Sequence, residues 1–157
     1  MNLGKKASLF AALAGAALLT IGASHSSDHA AKGVNSAQAV VDAFDQMAFF
    51  DHKPVEAVMK YVSADVIEHD PTTANGRQGI LDYFKKRDWS KSEMQDKIYR
   101  EIAQGDMVVV HHHIMDHPGD IGMAAVDIFR VKNGLIVEHW DVLQPVPQQP
   151  ANKLSMF

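Results

Sequence analysis

Two adjacent residues, Asn133 and Gly134, constrain this chain more than any others. They stand between two alternating segments, 123–132 (MAAVDIFRVK) and 135–143 (LIVEHWDVL). An Asn-Gly pair in that setting predicts a β-hairpin with a two-residue turn, because both positions tolerate the positive φ such a turn demands. Upstream, Gly105-Asp106 separates 96–103 (DKIYREIA) from 107–115 (MVVVHHHIM), and an irregular loop around His117-Pro118-Gly119-Asp120 leads to the hairpin. The second half of the chain therefore predicts an antiparallel meander.

The first half has a different period. From Ala37 the apolar residues Val40, Val41, Phe44, Met47 and Ala48 recur at helical spacing, with Ser36 placed to cap the helix. Pro54 suits the first turn of a second helix carrying Val55, Val58, Met59 and Val62. A short strand over 61–69 ends at Asp70-Pro71, and a third helix carries Ile80, Leu81, Tyr83 and Phe84. Helices first and strands after predict an α+β domain, with helices on one face of a curved sheet.

The N-terminus has a separate logic. Lys5 and Lys6 precede an uncharged run from Ala7 to Gly22, and small residues follow at Gly22, Ala23 and Ser24. That order predicts a signal peptide over 1–23, export to the periplasm or medium, and no membrane attachment after cleavage. A spacer over 24–35, a domain over 36–144 and a surface tail over 145–157 complete the layout. Removing two lysines and no acid takes the formal charge from −4 to −6, which gives no reason to bind nucleic acid. The chain has no Cys, so disulfides and thiolate chemistry are excluded and the core must hold by burial.

Hairpin counting fixes which side chains should meet. If Lys132 pairs with Leu135 and the register runs unbroken, Phe129 faces Glu138 and Asp127 faces Trp140. Those four would share one face, leaving Arg130, Val137, His139 and Asp141 on the other. On a concave face, desolvation would raise the Asp127 carboxyl and make it an acid or proton shuttle near neutral pH. On a solvated face it would be an ordinary strand acid.

Consecutive histidines 111, 112 and 113 alternate in direction on their strand. An odd-length loop to the hairpin would put His111 and His113 on the Asp127 face; an even-length one would put His112 there. A His-x-His pair suits a metal ion, proton transfer or substrate orientation. In Glu68-His69-Asp70-Pro71, Pro71 holds Asp70 extended, and His69 and Asp70 point to opposite faces. Asp70 could equally shape the turn before Thr72.

With these segments placed, 124–144 (AAVDIFRVKNGLIVEHWDVLQ) resembles the C-terminal hairpin of SnoaL-like proteins, within the nuclear-transport-factor-2-like superfamily. The stretch 61–84 (YVSADVIEHDPTTANGRQGILDYF) resembles the same family's strand–loop–helix unit, and 150–157 resembles the ending of its aldol-condensation or polyketide-cyclase-like subgroup. The resemblance, covering roughly 37–157, implies a cone-shaped curved sheet around helices, a deep pocket and a homodimer. It places Asp70 at the general-base position of the isomerases and Asp127 at the position of an oxyanion-hole or acid/base aspartate. It also implies pocket roles for His69, His111 and His113. The first helix offers Phe44, Phe49 and Phe50 where the isomerases use a Tyr, which counts against ketosteroid isomerisation.

Three functions follow. The first is an acid/base enzyme on a small organic substrate, with Asp127, His113, His111, His69 and Asp70 as its chemistry and Trp140, Phe129 and Glu138 lining the substrate. Enolisation or aldol-type cyclisation requires proton transfer and oxyanion stabilisation, and no cofactor. The second is a binding module with the same pocket. The third is a metal site on His69, His111 and His113.

Overall fold

The computed structural model describes residues 36–157; the signal peptide expected over 1–23 and the spacer expected over 24–35 lie outside the described residues. The Ser36 hydroxyl accepts from the Ala39 N–H at 3.1 Å and starts α1, Ala37–Asp45, which widens into a π-helical turn over Gln46–Phe50. Pro54 opens α2, Pro54–Tyr61, at a position where its missing N–H costs nothing. Then come β1 (Val62–Glu68), α3 (Arg77–Phe84), a single 3-10 turn (Trp89–Lys91), β2 (Gln95–Gln104), β3 (Met107–Met115), β4 (Met123–Lys132) and β5 (Leu135–Pro145). No helix among the described residues is long and apolar enough to cross a membrane.

The strands form one curved, unclosed sheet in the order β1-β5-β4-β3-β2. Three pairs are antiparallel, as the turn residues dictate: Asn133 and Gly134 both hold positive φ, 53° and 78°. The fourth pair is parallel. β1 lies beside β5, with Glu68 in register with His139.

Helices α1 to α3 cover one face. Val41, Val58, Val66, Val108, Val110 and Ile136 are fully buried there, each contributing about 1.5–3 kcal/mol of burial free energy. The Phe44 and Phe129 rings meet edge-on at 6.1 Å, joining α1 to β4. Gly79 lets α3 pass the preceding loop, since a Cβ there would stand 1.8 Å from the Ala74 carbonyl oxygen. On the sheet's outer face the chain ends with the Phe157 ring stacked on Tyr99 and His113, at 4.8 and 4.4 Å.

Candidate functional site

One interruption in the hairpin decides the site. Val131 pairs with Ile136, but Arg130 pairs with Glu138, so Val137 is the extra residue of a β-bulge. Beyond it Phe129 lies opposite His139, Ile128 opposite Trp140, and Asp127 opposite Asp141. The unbroken count is thereby corrected: Trp140 and Glu138 leave the Asp127 face, and His139 and Asp141 take their places. A bulge turns every later side chain on its strand over, and no turn residue announces it.

The histidine triplet resolves as the even-length case. Ile114 pairs with Met123, so His112 shares the inner face with Asp127 while His111 and His113 point outward. His112 is 2% exposed. His111 accepts from Arg100, His113 donates from Nε2 to the Ile121 carbonyl at 2.9 Å, and both rings stack against Phe157. His69 also sits outside, its ring parallel to Trp140 at 4.7 Å and its Nε2 3.1 Å from Glu138. The expectation of His111, His113 and His69 as pocket residues is therefore corrected. The three do not converge, and among the described residues no group of three His, Cys, Asp or Glu is arranged for a metal ion.

Carboxylates and imidazoles alternate along the inner face. His112 donates from Nδ1 to Asp96 at 2.7 Å, and its Nε2 lies 3.2 Å from Asp127 Oδ2. That second contact is an ion pair and not an aligned hydrogen bond, for the Nε2–H has no acceptor on its axis. On the other side of Asp127, His139 Nε2 stands 3.8 Å from Oδ1, while His139 Nδ1 donates to Glu68 at 2.9 Å. The order is Asp96, His112, Asp127, His139, Glu68, one from each of the five strands. Glu68, which sequence analysis placed at the end of the short strand without a role, orients His139.

Charge pairing sets the protonation of this row. Burial alone would push both imidazoles down, but the carboxylates beside them, Asp127 for both, with Asp96 at His112 and Glu68 at His139, raise them to about 10. Burial pushes Asp127 up, and the two histidines outweigh it, carrying the carboxyl to about 2. The expected rise at Asp127 is thus reversed, because its neighbours are cations and not Trp140. Asp45 on α1, 4% exposed, is held well above the ordinary range by burial and then by the charges of Asp127 and Asp96.

The row opens on a cavity of about 540 Å³. Phe44, Phe49, Phe84, Phe129 and Ile136 make its apolar wall, and Asp70, Thr72, Tyr83 and Asp141 stand along it with the row. Of the residues singled out from sequence, Asp127, Phe129 and Asp70 line this space. The Asp70 carboxylate is engaged by the Thr72 N–H at 2.8 Å and by the Thr72 and Thr73 hydroxyls at 2.9 Å. Burial raises Asp70, and those donors more than reverse it. Asp70 thereby serves the turn, the alternative that the Asp-Pro step left open. His139, Glu68 and Asp96 are the residues that the reading missed; His112 was the alternative that the parity of the loop before Met123 left open.

Comparison with known proteins agrees with this architecture. Residues 37–139 match the SnoaL-like domain. No curated protein matches the chain. Among solved structures, an NTF2-like protein of unknown function from Burkholderia xenovorans superposes with a TM-score of 0.60 at 16% identity, over 76% of this chain and 92% of its own. A candidate ketosteroid isomerase from Kribbella flavida gives 0.58 at 20% identity, over 74% and 83%. A candidate polyketide cyclase from Bacillus cereus gives 0.55 at 18%, over 68% and 73%.

Proposed function

The chain belongs to the SnoaL-like domain family, and on that premise we propose that it is a cofactor-independent acid/base enzyme acting on a small organic carbonyl compound. The supporting observation is Asp127 held between the buried His112 and the half-buried His139 at the wall of a cavity whose opposite side carries Phe44, Phe49, Phe84 and Phe129. The His139 Nε2–H, 3.8 Å from Asp127, is the looser of the two contacts and the one that a substrate oxygen can take without moving the ring. When a carbonyl oxygen takes that proton donor, negative charge developing on the oxygen is stabilised. Asp127 then keeps one imidazolium instead of two, so its basicity rises at the moment a C–H proton must be accepted. Isomerase, aldol or cyclase, and hydrolase chemistry all use this pairing of donor and base.

The test is hydrogen–deuterium exchange at carbons next to the carbonyl in a panel of ketones and aldehydes, followed by NMR. Asp127→Asn should slow exchange by about 10²–10⁴ while leaving ligand binding within a few-fold. Exchange that survives the substitution would sink the assignment. Saturable binding without any exchange would favour a binding module instead. That second reading has its own support: Asp70 is tied up by threonines and the acidic row by histidines, so the pocket's polar groups are mostly paired among themselves.

We further propose export, on the basic start and apolar run that precede Ser24, testable by N-terminal sequencing of the secreted or periplasmic fraction. A homodimer through the outer sheet face would cover the exposed Ile102 and Val142, and light scattering reads it directly.

A further inference from the structure

The last residue of the chain is held on the sheet's outer face, away from the cavity. The Phe157 ring stacks on Tyr99, His113 and His111 at 4.8, 4.4 and 5.7 Å, within 27° of parallel to each. The stretch before it is a loose strap. Residues 147–155 are exposed, and among the described residues their hydrogen bonds stay within the tail. Pro147 and Pro150 stiffen that span, so its two ends carry the attachment.

Both ends grip the same loop. At the start of the tail, the Val146 N–H donates to the Gly122 carbonyl at 3.1 Å. At its end, the His113 ring under Phe157 donates from Nε2 to the neighbouring Ile121 carbonyl at 2.9 Å. The fit there is close. A Cβ on Gly122, whose φ is 63°, would stand 3.0 Å from His113 Nε2 and 2.1 Å from the Ile114 carbonyl oxygen.

The other limb of that loop reaches the cavity. Asp116 is a lining residue with its side chain 65% exposed, which sets it at the opening. Arg87, also lining and 40% exposed, meets it there at 2.6 Å. The guanidinium lies over the Trp89 ring, 5.5 Å from its centre, and so belongs to the helical side of the mouth. Within the loop, the Asp116 N–H donates to the Asp120 carboxylate at 2.9 Å and the Asp120 N–H to the His117 carbonyl at 3.1 Å. A loop tied to itself in this way shifts as one piece. An exposed ion pair contributes little alone, so the hold on the far limb decides where the loop rests.

Resting on the pocket reading above, we infer that Phe157 locks the mouth of the cavity. Its ring holds His113, His113 holds Ile121, and the loop over 116–122 then carries Asp116 onto Arg87. Phe157 and His113 are positioning residues, for neither is among the residues lining the cavity. Loss of the last residue, as by a carboxypeptidase, frees the loop and opens the pocket without altering its lining.

The test compares the full chain with a form ending at Met156, by hydrogen exchange read in a mass spectrometer and by stopped-flow binding of the dye anilinonaphthalene sulfonate. In the shortened form, amides over 116–122 and at Val146 should exchange about tenfold faster, the worth of one stacked ring pair, while α1 to α3 and the hairpin stay unchanged. Dye association and dissociation should both quicken, leaving the affinity within about twofold. His113→Ala should repeat both effects and His111→Ala neither, since His113 bonds the loop and His111 bonds Arg100. Phe157→Tyr keeps the stack and should behave as the parent. Unchanged exchange over 116–122 would overturn the lock, as would a rise spread evenly over the sheet. Faster loop exchange with unaltered dye rates would overturn the link to the cavity and leave the acid/base reading standing. Failure of every form to bind the dye would overturn the inference together with the pocket.

Discussion

Phe129 lies opposite His139, one residue beyond the Glu138 that an unbroken hairpin would give it. The rings stack at 5.0 Å, so the aromatic wall of the cavity also fixes the imidazole that faces Asp127. Without the bulge at Val137, the intact strand would turn Trp140 inward and His139 out. The fold's one irregular pairing in this hairpin is what assembles its polar row.

His112 is the residue whose loss should cost most. Replacing it with Ala leaves Asp96 and Asp127 buried with no cation between them. Breaking a buried pair in this way costs about 3–5 kcal/mol. The drop in the urea midpoint measures it, and a loss below about 1 kcal/mol would mean that the pair is solvated in solution.

Stability should favour the acid side of neutrality. Unfolded histidines lose their protons near 6.5, whereas His112 and His139 hold theirs to about 10. Their contribution is therefore complete below pH 6.5 and drains away as the pH rises to 10. Asp127 has the opposite sign: lowered to about 2 from 3.8, it stabilises above about pH 4 and loses its effect on further acidification. Chemical denaturation across pH 3–10 should find its optimum at about 4–6.5. A midpoint that climbs from pH 7 to 10 would contradict the row.

Asp45 should behave unlike the other acids. Its carboxyl is raised by burial and by neighbouring negative charge, so holding it protonated in the folded state costs more stability as the pH rises above 3.8. Asp45→Asn supplies a permanently neutral group of the same shape. That variant should be at least as stable as the parent at pH 7, with the gain shrinking toward pH 4. Equal destabilisation at both pH values would show that the position needs a charge.

Gly79→Ala should be far worse than Gly105→Ala. A methyl at 79 would meet the Ala74 carbonyl oxygen at 1.8 Å, whereas nothing lies within 4 Å of one at 105. Forcing α3 off that loop should cost about 1–3 kcal/mol and open the Tyr83 side of the cavity. Comparing melting temperatures of the two variants decides it. At 105 only the positive φ of 63° should be felt.

Much of the fold was legible because local signals agreed with the tertiary ones. Ser36, Pro54, Gly105-Asp106 and Asn133-Gly134 each end or start an element for a local steric reason, and the helix and strand periods matched their burial. The site was less legible, since it depends on parity. The loop before Met123 and the extra Val137 each reverse which side chains face inward, and neither carries a signature in composition. Asp127 and Phe129 lie upstream of the bulge, within β4, where alternation alone orients them. The β1–β5 pairing was invisible for another reason: two strands that are parallel and distant in sequence share no turn to read.

That pairing also dictates the order in which the molecule can be completed. β5 is the last strand made, yet it sits inside the sheet, between β1 and β4. Until it arrives, the first strand has no strand to pair with and the Glu68 carboxylate waits 71 positions for its imidazole. Closing so long a loop is slow, and an early-terminated chain would expose two unpaired backbone edges. Nascent or clipped forms ending before Leu135 should therefore be sticky and inert together, which makes the intact C-terminal strand a built-in check on whether the polypeptide is finished.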